Sequence, residues 1–89
     1  MLNPEQNEEL RRAAREYLAI RHPAALPVRA IRRGLAHELD FQIEEPAITS
    51  ALEFLKGLGH TASQFDELGS TVYWAATTEG VRAYERGGR

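Results

Sequence analysis

Arginine is the residue type in this chain best equipped to meet a charged ligand. Arg29, Arg32 and Arg33 lie close together, and Arg11, Arg12 and Arg15 form a second group. A guanidinium presents a planar fork of donors that matches phosphate oxygens. The first group therefore suits phosphate contacts, and it would equally serve as a solvated helix face paired with Glu38 or nearby acids. The second group reads as solvated, because Glu8, Glu9 and Glu16 are available for helical pairing. Other chemistry finds little support. A metal-binding helix starting at His37 needs a second histidine at position 41, which is Phe41. Three scattered histidines without a cysteine make a poor ligand set, so no metal site is expected. Ser50, Ser63 and Ser70 have no glycine-framed elbow around them, and no catalytic residue is expected. Gly57 and Gly59 close a helix and do not open a phosphate-cradling loop, so no cofactor is expected either. Tyr73-Trp74 could stack on exposed bases. Adjacent strand residues point to opposite faces, however, so one of the pair belongs in a core and the other is partly exposed, where it would suit a protein interface.

The elements that carry these residues follow from periodicity and punctuation. Asn3 can cap a first helix over about 4–21, with Pro4 at its first position and Gln6 three residues after the cap. Leu10, Ala14, Tyr17 and Leu18 follow helical spacing. His22-Pro23 ends that helix, because the residue before a proline is pushed out of the α region. Residues 24–27 read as a connector. Val28, Ile31, Leu35 and Leu39 give a second helix over about 27–38, in which Gly34 suggests close approach by a neighbour. Phe41 and Ile43 alternate in the next connector, so both are expected to point inward. Pro46 starts a third helix over about 46–58, with Ile48, Leu52 and Leu55 on its apolar stripe and Gly59 at its left-handed end. The period then changes. Residues 60–76 read as a hairpin, with a turn at Asp66-Glu67-Leu68-Gly69-Ser70 and a strand rich in β-formers after it. Thr77 caps a last helix over about 78–86, and Arg86-Gly87-Gly88-Arg89 reads as a frayed tail.

Eighty-nine residues leave room for one domain, spanning residues 1–89, and for one modest core. With no cysteine, that core must be held by packed apolar side chains, which are 43% of the chain. No apolar stretch is long enough to span a bilayer. The N-terminal residues lack the pattern of a signal peptide, so a cytoplasmic location is expected. The formal net charge of −2 disfavours a dedicated non-specific nucleic-acid binder, for which phosphate neutralisation supplies much of the affinity. A local basic patch would still suffice.

The order helix, helix, helix, hairpin, helix is that of an α+β winged helix-turn-helix domain. The late segment resembles that family most closely. It runs Ala51-Leu52-Glu53-Phe54-Leu55-Lys56-Gly57-Leu58-Gly59, then a hairpin with Gly69 and Tyr73-Trp74, then Thr77-Thr78-Glu79-Gly80. In plan the chain is also similar to small prophage-encoded members. The resemblance implies a three-helix core, a β-hairpin wing and a short C-terminal helix. It also implies that the third helix enters the major groove of double-stranded DNA while the wing touches the backbone or minor groove. The residues carried over to such an interface are Arg29, Arg32 and Arg33 on phosphates, with Thr49, Ser50, Glu53 and Lys56 on the third helix. This chain departs from the pattern at the wing tip, where Asp66 and Glu67 stand in place of basic residues, and at His60, a position commonly apolar.

Two functions are expected from these observations. One is a DNA-binding transcriptional regulator, not an enzyme, acting as a homodimer with the first and last helices at its seam. The other is a protein-interaction module that keeps the winged-helix shape without binding DNA. The full winged-helix order and the arginines of the second helix make the first the leading reading; the acidic wing, the glutamates near the third helix and the negative net charge motivate the second as its alternative.

Overall fold

The computed structural model of the chain describes residues 1–87. Its elements are α1 (Pro4–Ile20), β1 (Leu26–Pro27), α2 (Val28–Leu35), α3 (Glu45–Gly57), β2 (Thr61–Phe65), β3 (Val72–Ala76) and α4 (Thr78–Gly87). Of the expected frayed tail, Arg86 and Gly87 form the end of α4, and Gly88 and Arg89 lie outside the described residues.

Each helix start is explained locally. Asn3 and Gln6 form a reciprocal capping box, with bonds of 2.7 and 3.1 Å that satisfy two backbone donors otherwise left open. Pro46 sits in the first turn of α3 behind the extended residue Glu44. Thr77 Oγ1 accepts the Gly80 N–H at 3.0 Å and so caps α4.

The sheet departs from the two-stranded hairpin expected. It has three antiparallel strands in the order β1-β3-β2. The expected connector contains β1, in which Leu26 pairs with Trp74 and Pro27 with Tyr73. This short strand covers the second edge of β3. Pro27 is tolerated there because an edge strand need not donate on both sides. The second helix is also shorter than expected. It stops at Leu35, whose carbonyl accepts from both Glu38 and Leu39 as the chain turns away. That turn keeps Leu39 packed against the core and leads to Ile43, which is buried. Phe41 is only half-buried.

Leu10, Leu18, Ile31, Leu35, Ile48 and Leu52 are fully buried and join the three helices. Trp74 closes the core from the sheet side, while Tyr73 on the opposite face is half-buried. Gly34 allows the close approach that its sequence position suggested. A Cβ there would overlap the ring of Tyr17 on α1.

The junction between α3, the wing and α4 is tied by a set of short-range bonds. Gly59 takes φ +82°, which frees the Gly59 and His60 N–H groups to bond Lys56 and Leu55 carbonyls at 2.9 Å each. The Thr77 hydroxyl donates to the Gly59 carbonyl at 2.6 Å, and the Thr77 N–H donates to His60 at 3.0 Å. Thr61 Oγ1 donates to the Leu52 carbonyl at 3.0 Å. Gly80 lies against the His60 carbonyl, so that a Cβ at this position would collide with backbone. Replacing Gly80 by Ala should therefore lower stability by about 1–3 kcal/mol, the range for overpacking. Replacing Thr77 by Val should cost about 1 kcal/mol through the lost cap. Denaturant midpoints measure both, and unchanged midpoints would contradict this account of the junction.

Candidate nucleic-acid interface

The arginines of α2 do not share one environment. Arg29 and Arg33 are exposed, and among the described residues neither has a carboxylate within ion-pair distance. Arg32 is half-buried, and its Nε donates to the Ile43 carbonyl at 3.0 Å. That bond anchors the α2–α3 connector. All three arginines border one open depression of about 460 Å³, together with His37 and Glu45.

The α3 residues divide in a similar way. Ser50 and Glu53 are exposed. Thr49 is half-buried and faces Arg29, Thr71 and Val72 across a small groove. Lys56 is exposed, but its Nζ donates to Ser63 Oγ at 3.0 Å and lies 6.0 Å from the Trp74 ring centre. It stands roughly 10 Å along the helix axis from Thr49. The structure thus brings Arg29, Arg32, Arg33 and Thr49 together at the start of α3. It leaves Lys56 at the far end, against β2.

The local charge is mixed. Glu44 and Glu45 stand at the N-terminus of α3, where they complement the helix dipole and offset the positive end a phosphate would use. At the wing tip, Asp66 Oδ1 accepts the Leu68 N–H at 3.1 Å, and Glu67 is exposed.

A second feature was not apparent in the sequence. Of the three α1 arginines expected in solvated pairs, only Arg12 makes one among the described residues, with Glu8 at 3.4 Å. Arg11 lies over the Phe54 ring at 3.9 Å. Arg15 packs beneath, with its Nε buried and unpartnered and its Nη1 3.5 Å from His60 Nδ1. Together with Leu58 these residues line an open groove of about 400 Å³ between α1 and α3. The available signal was Phe54 and Leu58, apolar residues spaced by four that lie off the core stripe of α3. Among the described residues, no three His, Cys, Asp or Glu side chains converge as a metal site would require.

No protein-family model matches this sequence, and no curated protein matches it. Solved structures do. A transcriptional regulator from Clostridium thermocellum, Cth-833, superposes with a TM-score of 0.71 at 18% identity, over 97% of this chain and 84% of that one. The fold is a winged helix. A PadR family transcription regulator from Clostridium difficile R20291 gives a TM-score of 0.67 at 14% identity, over 86% of this chain and 83% of its own. ZitR from Lactococcus lactis gives 0.64 at 19% identity, over 94% of this chain and 60% of its own. In winged-helix terms, β2 and β3 are the wing, α3 is the helix in the recognition position, and β1 is the strand that flanks the wing. Among the described residues, no helix is long and apolar enough to cross a membrane.

His60 sits where the α1–α3 groove meets the junction. Burial lowers its pKa below 6.5 and Arg15 lowers it further, against a smaller opposing effect of Glu79; Arg86 adds a slight lowering. The folded state thus resists protonating His60, while the unfolded state takes up that proton near 6.5. The contribution of His60 is complete above that pH and is lost as pH falls below it. His60→Gln should flatten this part of the stability profile, measured by chemical denaturation. Parallel profiles for the two proteins would contradict it.

Proposed function

We propose that this protein is a DNA-binding transcriptional regulator and not an enzyme, working in the cytoplasm as a homodimer, with α3 in the major groove of double-stranded DNA. The observation that carries this reading is the position of Arg29 and Arg33. Both are exposed, neither pairs with a carboxylate among the described residues, and both flank the start of the helix in the recognition position. In such domains the second helix crosses the phosphate backbone and the third reads bases. Regulators among the structural neighbours support the same reading.

Arg29 and Arg33 would hold phosphates. Arg32 would assist with its remaining donors while its Nε keeps the connector in place. Thr49 and Ser50 can donate to phosphate or base edges, and Glu53 can accept from a cytosine amino group. Lys56 would reach DNA only by leaving Ser63. Dimerisation would double these contacts, offsetting a protomer with little positive charge. Ile20, exposed at the end of α1, supports a seam along α1 and α4.

Fluorescence anisotropy with duplex DNA across a salt series tests the reading. Affinity should fall steeply with salt. Arg29→Ala and Arg33→Ala should each weaken binding on all sequences and reduce the salt slope by about one. No binding to a genomic fragment library, or a flat salt response, would overturn it.

A further inference from the structure

The wing tip and the α1–α3 groove are matched in both charge and apolar content. Six large apolar side chains are exposed among the described residues, and four of them fall in these two places. Phe54 and Leu58 are 46% and 54% exposed in the groove, and Phe65 and Leu68 are 64% and 94% exposed at the tip. Around Phe54 and Leu58 stand three arginines and one glutamate, whereas Asp66 and Glu67 stand between Phe65 and Leu68. We propose that the wing tip of one copy docks in the α1–α3 groove of a second copy. Glu67 then lies among Arg11, Arg12 and Arg15, and Leu68 packs on Phe54 and Leu58.

The tip cannot fill the groove of its own chain. β2 is bonded to β3 from Thr61 through Phe65, and this ribbon carries Glu67 roughly 15–20 Å from the end of α3. The contact must therefore form between molecules. Its two faces differ, so it is heterologous and stands apart from any twofold seam along α1 and α4.

The charges on each side favour this occupant. Asp66 is committed to the turn through the Leu68 N–H, which leaves Glu67 as the carboxylate able to engage a partner. Arg11 is already ordered over Phe54, so it presents donors at the groove mouth without a large loss of side-chain freedom. Arg12 can turn from Glu8, because that pair is exposed on both sides and such pairs contribute little. A wing of this composition repels phosphate. It attracts a groove that holds more positive than negative charge.

Sedimentation velocity on the protein without DNA tests the proposal separately from the DNA reading. The wild type should show a concentration-dependent association step that weakens as salt rises. One variant, Glu67→Lys with Leu68→Ser, breaks the tip. A second, Arg11→Glu with Arg12→Glu, breaks the groove. Each should weaken that step by at least about tenfold. Circular dichroism verifies that both stay folded, and the altered side chains are exposed or half-buried on the surface. Mixed together, the two variants should form a one-to-one complex, since one retains an intact groove and the other an intact tip. The proposal is overturned if the wild type shows no such step, if the variants associate as the wild type does, or if their mixture forms no complex.

Discussion

The hydroxyl of Thr77 donates to the Gly59 carbonyl at 2.6 Å while accepting the Gly80 N–H at 3.0 Å. One side chain thus joins the end of α3 to the start of α4, on either side of the wing. Much else depends on that join. The backbone of Gly59 can turn sharply only at positive φ, and Gly80 must lack a Cβ for α4 to rest on His60. With these conditions met, β2 and β3 leave and return at one point, and Trp74 is delivered to the core. Helix α3 is then fixed from below by Leu52 and Leu55 and at its end by Thr61.

This scaffold separates two surfaces of different character. At the start of α3, Arg29 and Arg33 stand exposed on a depression that also holds Glu45. The wing tip is acidic and apolar, with Phe65, Glu67 and Leu68 exposed. A wing that gripped the DNA backbone would need positive charge, so the proposed reading puts phosphate contact on α2 and not on the wing. On the proposed reading, a net charge of −2 is compatible with DNA binding. Local placement, and not net charge, governs the field at a binding face.

The fold was legible where a residue acts on its neighbours in sequence. Asn3, Pro4 and Gln6 marked the first helix, Gly59 marked the end of the third, and Thr77 marked the start of the last. These signals hold because capping bonds span only a few residues. β1 was not legible, since two residues have no period and Leu26 finds its partner Trp74 only after the chain has folded back. The end of α2 was not legible for a related reason. Leu39 keeps the helical spacing of Ile31 and Leu35, yet it reaches the core through a turn. In the candidate interface, the arginines were identifiable by type but not by duty. Arg32 binds Ile43 eleven positions away, Lys56 binds Ser63 on the next strand, and Arg11 covers Phe54 on another helix. Each of these depends on tertiary approach, which composition and spacing do not encode.

The central claim is that DNA meets α2 and the start of α3, and not the wing tip. Amide chemical-shift mapping on titration with duplex DNA tests it most directly. The account predicts that the largest changes fall between Val28 and Arg33 and between Glu45 and Glu53, with Phe65 to Leu68 little affected. Changes concentrated on the wing tip or along the α1–α3 groove, with α2 silent, would contradict it.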